Sequence, residues 1–370
     1  MASLSPKRRR RDLDSAATEA RTPTIAVSPS TDVIFEILSW LPPRSLGRCR
    51  CVSRNWRDII SNPAFVAAHM SRAEPLLVAK TSDSHHWSLQ LMDTEGTPVR
   101  VSSLAGAWTF QASLDDLAYI TFRNRDSVTP AVVNLATGVT LTNLPKQTVL
   151  EYYTLTYMGF GRTAQSGVYK LLRLRMTNRT QTCDILTVGD NVEWRRTRPP
   201  PMIARQSYAS PPVALDGALH VLSRDENCVL CFDLESEKWQ AIHGPQGGVI
   251  RVKEPISIAQ LNGTLCIAQM EPYLINIWLL SDSKSNVWVK AYTIPTRRKV
   301  VKHVLPLRVL RLGGGLLFYF YGNNAKPKLK VYNPSLRRCT AVKTPANLIG
   351  TIGLCSADIY SNVDLVTSPN

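Results

Sequence analysis

The sequence predicts a multidomain α+β chain, in which a small three-helix module precedes an all-β propeller of about six blades. Three observations carry this. Between Pro29 and Met70 the apolar residues recur with helical spacing. Beyond Met70, short runs rich in Trp, Tyr, Val, Ile and Thr are punctuated by turn residues about every ten positions. Those runs repeat in a unit of about fifty residues, the size of a four-stranded blade with long loops. A chain of 370 residues, 44% of them apolar, is long enough for both parts. The expected division is a disordered basic tail over 1–28, the helical module over 29–72 and the propeller over 73–370.

The tail is rich in Ser, Thr, Ala, Pro and Arg and has almost nothing to bury. Its run Lys7, Arg8, Arg9, Arg10 and Arg11 reads either as a nuclear localisation patch or as a solvated charge run. The formal charge is +16, with +3 on residues 1–28, +3 on 29–72 and +10 on the rest. Local clusters stand at Arg195-Arg196-Arg198, Arg297-Arg298-Lys299 and Lys326-Lys328-Lys330. Such a field attracts acidic proteins or nucleic acid, although scattered positive charge is more often a solvated surface. The start of the chain lacks the apolar core of a secretory signal. The apolar stretch from Val304 to Tyr321 is too interrupted to span a bilayer. Eight scattered cysteines read as reduced thiols of a cytosolic or nuclear protein.

In the module, Asp32 is placed to cap a first helix carrying Val33, Ile34, Ile37, Leu38 and Leu41 as one broad apolar stripe. Pro42-Pro43 ends it, because the residue before a proline is pushed out of the helical region. A second short helix carries Leu46, Cys49 and Val52, and a third carries Trp56, Ile59 and Ile60. Phe65 follows Pro63 and can fold back on them. Three short helices cannot enclose all of these side chains, each worth about 1.5–3 kcal/mol when fully buried. The stripe therefore docks either on the propeller or on another protein.

The propeller copies share one grammar: strand, turn, strand, Asp/Asn turn, strand, proline. The clearest spans Pro212–Pro245, with Asp216-Gly217 as a tight hairpin turn. Asn262-Gly263 and Gly313-Gly314-Gly315 mark the same place in two further copies. Others centre on Ala118–Phe122, on Val168–Arg175 and, more weakly, on the stretch from Leu76 to Gly96. The tail Ile349–Val366 is expected to supply one strand that closes the ring, because an open sheet edge invites aggregation.

Two sets of phrases resemble known families. Glu36-Ile37-Leu38, Leu41-Pro42, Ser45-Leu46, Cys51-Val52, Trp56 and Ile60 stand in the order and spacing of the F-box, the adaptor-docking module of Skp–cullin–F-box ubiquitin ligases. Tyr169–Arg175, Cys183–Gly189, Val213–Leu222 and Cys231–Trp239 resemble F-box-associated repeats of plant F-box proteins and, more loosely, kelch repeats. The resemblance implies that the first-helix stripe, Pro42 and Leu46 face the adaptor, with Val52 beside them and Trp56 and Ile60 partly in the core. It departs at Pro29-Ser30, where F-boxes usually carry Leu-Pro. Loss of an inserted Leu weakens docking by roughly 1.5–3 kcal/mol.

No catalytic, cofactor or metal constellation is legible. His69, His85, His86, His220, His243 and His303 lack a second ligand at metal spacing. Cys228 and Cys231 lie in one predicted strand, where i and i+3 point to opposite faces. Gly159-Phe160-Gly161 lacks a nucleotide-binding context and reads as a glycine turn. The resemblance thus implies a non-catalytic substrate receptor of nucleus or cytoplasm. Its expected partners are a Skp-type adaptor, through it a cullin–RING ligase, and an unidentified target protein held by the propeller; no membrane or nucleic acid is among them. Target-binding candidates are Thr177–Gln181, Arg195–Gln206, Met270–Tyr273 and Tyr321–Lys326 on one face. The competing reading is a basic propeller scaffold for nucleic acid or a nuclear protein, without ligase function.

Overall fold

The fold was obtained as a computed structural model. It describes residues 29–355 except 42, 73, 84–85, 126, 146, 149–154, 178–179, 190–192, 206–209, 251–254, 284, 297–302, 312, 322–325 and 346. The basic run Lys7–Arg11, Pro42 and the end of the proposed closing tail lie outside the described residues.

Four helices come first: α1 (Thr31–Leu38), α2 (Pro43–Cys49), α3 (Arg54–Ser61) and α4 (Pro63–Arg72). The cap of α1 is Ser30 rather than Asp32; its Oγ accepts from the Val33 N–H at 3.4 Å, and Asp32 lies in the first turn. Ser53 caps α3 in the same way, accepting from the Trp56 N–H at 3.1 Å. Pro43 and Pro63 open α2 and α4, where a missing N–H costs nothing. Val52 falls in the turn after α2, not on that helix. The fourth helix is the main addition to the expected module, and it carries the Phe65 that was expected only to fold back.

Six antiparallel sheets follow, each a blade of consecutive strands. Blade 1 holds Leu76–Asp83, His86–Met92 and Pro98–Ser103. Blade 2 holds Trp108–Leu114, Leu117–Arg123, Ser127–Asn134 and Thr140–Asn143, with Gln147–Thr148 added beside its third strand. Blade 3 holds Leu155–Arg162, Tyr169–Thr177, Thr180–Thr187 and Arg195–Thr197, and blade 4 holds Val213–Leu215, Ala218–Leu222, Cys228–Asp233 and Lys238–His243. Blade 5 holds Ile256–Leu261, Thr264–Met270, Leu274–Asp282 and Val287–Pro295, and blade 6 holds His303–Val309, Leu316–Tyr321, Lys328–Asn333 and Arg338–Ala341.

The ring closes through Leu348–Cys355, which pairs with Leu76–Asp83 as the first strand of blade 1 and brings it to four. The first and last described strands of the propeller thereby share one sheet, which ties the ring together. The Tyr319 hydroxyl of blade 6 donates to the Gly350 carbonyl at 2.7 Å, and the Ser113 hydroxyl of blade 2 donates to the Leu354 carbonyl at 2.7 Å. A Cβ at Gly353 would sit 2.1 Å from Ser113 Oγ and 2.9 Å from Phe110 Cζ, so glycine is required for this approach.

Turn chemistry accounts for the hairpins. Asp216 and Gly217 (φ 49° and 75°), like Asn262 and Gly263 (φ 49° and 81°), occupy the left-handed region that two-residue hairpins need. Gly159-Phe160-Gly161, by contrast, is no turn. It lies inside the first strand of blade 3, where a Cβ on Gly161 would meet Leu234 at 2.6 Å. Here the glycines permit close blade packing. Cys228 and Cys231 do point apart, into the hydrophobic clusters on opposite sides of blade 4.

The strand order sorts the loops between two faces. Connections from second to third strand, and from one blade to the next, emerge on one face; the remaining turns emerge on the other. Of the candidate segments, Thr177, Thr180, Gln181, Arg195–Arg205, Met270–Tyr273, Tyr321 and Lys326 belong to connections on the first face, and the rest lie outside the described residues. The helices join the propeller from the second, since Leu76 begins a second strand. Glu74 fixes that junction: it accepts from the Arg311 backbone N–H at 2.6 Å and pairs with the Arg308 guanidinium.

Candidate adaptor-docking surface

The helical module buries Leu38, Leu46, Ile59, Ile60 and Phe65 in a core of its own. Ile34, Phe35, Leu41, Cys49 and Trp56 pack half-buried around it. Phe35 meets Phe65 edge-on, with ring centroids 5.1 Å apart. The fourth helix supplies the lid that three helices lacked, so the expected stripe divides. Leu38 and Leu46 are 1% exposed. Val33 is 48% exposed, Ile37 57% and Val52 64%.

A residue outside the expected set joins the exposed group. Trp40 is 59% exposed and lies one turn beyond Ile37, as Ile37 lies one turn beyond Val33. Its indole N–H donates to Glu36 Oε1 at 3.2 Å, and the Arg72 guanidinium stands 5.0 Å from its ring centroid. Arg72 also pairs with Glu36 at 2.9 Å and donates to the Ser39 hydroxyl. Hydrogen bonds from Arg72 and then Trp40 hold the Glu36 carboxyl below the usual range. The network pins an aromatic ring on the surface. Trp40 fell between motif positions in the sequence; its partner Arg72 is thirty-two residues away, beyond any local pattern.

Among the described residues no group of three His, Cys, Asp or Glu side chains could hold a metal, and no helix is long and apolar enough to cross a membrane. What the module presents is a set of exposed apolar side chains on a folded support.

Comparison with known proteins agrees with both halves. Residues 30–67 match the F-box domain, and residues 70–314 match the F-box associated beta propeller domain. The chain belongs to the F-box-associated β-propeller family. Among its Arabidopsis thaliana relatives, F-box protein At1g47340 is 24% identical, over 92% of this chain and 81% of that protein. F-box protein At2g15640 is 26% identical, over 72% of this chain and 77% of that protein. The solved structure of TolB from Acinetobacter baumannii aligns with a TM-score of 0.50 at 10% identity, covering 82% of this chain and 73% of that one. At that identity the likeness concerns the fold alone.

Proposed function

We propose that this F-box protein is the substrate-recognition subunit of a Skp–cullin–F-box ubiquitin ligase. The single observation that carries the reading is the exposed set Val33, Ile37, Trp40 and Val52 on an F-box whose own core is already closed. Covering the exposed half of each side chain contributes about 1 kcal/mol, and the pinned indole adds a rigid anchor of the kind that dominates interfaces. Val33, Ile34, Ile37, Leu41, Pro42 and Val52 touch the Skp-type adaptor in this reading. Leu38, Leu46, Trp56 and Ile60 support that surface from within. The propeller holds a target protein, and the cullin–RING assembly acts by proximity, raising the effective concentration of an acceptor lysine near charged ubiquitin. The chain itself performs no catalytic step and works in the nucleus, the cytoplasm or both.

The test separates docking from folding. A Val33→Asp, Ile37→Asp double variant keeps the melting profile, since both side chains are already in water, yet loses at least tenfold in affinity for a Skp adaptor in calorimetry. Leu46→Ala removes a buried side chain, destabilises the module by about 2–5 kcal/mol, and loses binding only together with module helicity. Wild-type protein that binds no Skp adaptor at micromolar concentration would end this reading.

A further inference from the structure

Blade 3 carries a cation cluster that adaptor docking does not use. Arg173, Asp184 and Arg196 stand directly opposite one another on three adjacent strands, so they share one side of the sheet. Arg175, two residues beyond Arg173, lies on that side as well. The side is the one facing blade 2, where Leu171 and Leu186 pack with Tyr119 and Phe160.

Asp184 is buried and ion-paired with all three guanidinium groups. Its Oδ2 accepts from Arg173 Nε at 3.1 Å and lies 3.0 Å from both Arg173 Nη2 and Arg175 Nη2. Its Oδ1 lies 2.9 Å from Arg196 Nε. One carboxylate thus gathers three fixed positive charges, leaving these four residues at +2. The other ion pairs among the described residues set no more than two cations on one carboxylate.

The surroundings favour a second anion. Arg173 is held 4.1 Å from the Trp194 ring centroid, and burial lowers its pKa as the charge loses water. Arg175 Nε and the Tyr119 hydroxyl are buried donors with no hydrogen-bond partner. Tyr119 lies close enough to Arg173 for the guanidinium to oppose the upward push of burial on its pKa. The side chains of Arg175 and Arg196 are 31% and 58% exposed, so an incoming group can reach them.

We propose that Arg173, Arg175 and Arg196 form a recognition site for a phosphate monoester, carried on a phosphorylated segment of the target protein. A dianion matches the residual +2, and guanidinium forks suit its oxygens. A carboxylate brings half that charge. A nucleic acid strand would need a track of spaced cations, whereas this cluster converges on one point. The word "target" rests on the receptor reading above; the phosphate site does not.

The probe is phenyl phosphate, titrated into the full chain and followed by ³¹P NMR, with phenylacetate and a twelve-nucleotide single strand as comparison ligands. Phenyl phosphate is expected to bind at low millimolar concentration or tighter, at least tenfold better than phenylacetate. An Arg175→Gln, Arg196→Gln variant loses at least tenfold in that affinity while Skp adaptor binding stays unchanged and the propeller still melts cooperatively, at a lower temperature because Asp184 loses two of its partners. A Lys326→Gln, Lys328→Gln variant, altered on blade 6, keeps it. No binding, equal binding of phenylacetate, equal loss in the lysine variant, or displacement by the oligonucleotide that survives the arginine changes would each overturn the site. Because adaptor binding is read separately, failure of the phosphate site leaves the receptor reading standing, and the reverse holds as well.

Discussion

The helical module and the propeller answer the same physical problem in opposite ways. The propeller ring is joined at its seam, because the last described strand, Leu348–Cys355, pairs with the first, Leu76–Asp83. Its apolar residues sit in cores shared by neighbouring blades, so each blade is covered by the next. Among the described residues the module's apolar core holds five buried side chains, and Ile37, Trp40 and Val52 stay more than half exposed. Closure completes the one; in the receptor reading, a separate partner completes the other. Interaction energy is therefore expected at the module's apolar patch, while the propeller contributes charge and loops on a rigid frame.

The largest effect should come from breaking closure. Gly353→Val places side-chain atoms where Ser113 and Phe110 already stand. Either the last strand leaves blade 1 or the neighbouring blade shifts. Detachment uncovers Leu348, Ile352 and Cys355, which are buried in the ring. The cost is about 4 kcal/mol or more, taking the two large side chains at 1.5–3 kcal/mol each and the cysteine as smaller. Thermal unfolding should show the propeller melting more than ten degrees lower or aggregating, while Skp adaptor binding by the surviving module persists at low temperature. An unshifted melt would mean that the ring does not depend on this seam.

How far the two regions were legible in sequence follows from their periods. Strand alternation has a period of two, so it assigned Cys228 and Cys231 to opposite sides of one blade correctly. Asp216-Gly217 and Asn262-Gly263 announced their hairpins because positive φ restricts the choice of residue. In the module, a helical stripe spanning Val33 to Leu41 is wide enough to face two things at once. Periodicity could not divide Leu38 from Ile37, which are adjacent in sequence yet 1% and 57% exposed. That division is made by the core Leu38 shares with Leu46, Ile59, Ile60 and Phe65, all from other helices. Gly159 and Gly161 were misread for a related reason: their meaning lies in Leu219 and Leu234 of the next blade, not in their own loop. The arginine cluster was half visible, as Arg195-Arg196-Arg198, but Asp184 and Arg173 reach it only through strand register.

An intermediate effect distinguishes the regions by pH. His220 is buried in blade 4, and burial depresses its pKa to about 4. A folded value below the unfolded one, about 6.5, means that the unfolded chain binds more protons between those limits. Stability from this group is intact above about pH 6.5 and is lost as pH falls toward 4. The shift corresponds to about 3 kcal/mol. Urea unfolding followed on the propeller should show that loss in the wild type and a much flatter slope in His220→Gln. Module unfolding, read from helical signal, should be unaffected by the substitution. A slope equal in both proteins would place the acid sensitivity elsewhere, with the partly buried His303 as the next residue to replace.

The smallest effect concerns what joins the two regions, and it bears most directly on how they work together. Glu74 stands between α4 and the first blade, one carboxylate oxygen bonded to the Arg311 N–H and the other to the Arg308 guanidinium. Glu74→Gln keeps the shape and removes the charge, costing about 1–2 kcal/mol at a partly buried charge-assisted contact. Neither the module core nor the ring closure touches this residue, so both melts should move by only a few degrees and Skp adaptor affinity should not change. What should change is the stiffness of the junction: proteolysis between Arg72 and Leu76 should accelerate several-fold at native temperature. A junction equally resistant in the variant would mean that packing rather than this carboxylate sets the angle between module and propeller. If cleavage does accelerate, the comparison sharpens, because a receptor acting by proximity needs its two completed regions held at a fixed separation as much as it needs either surface.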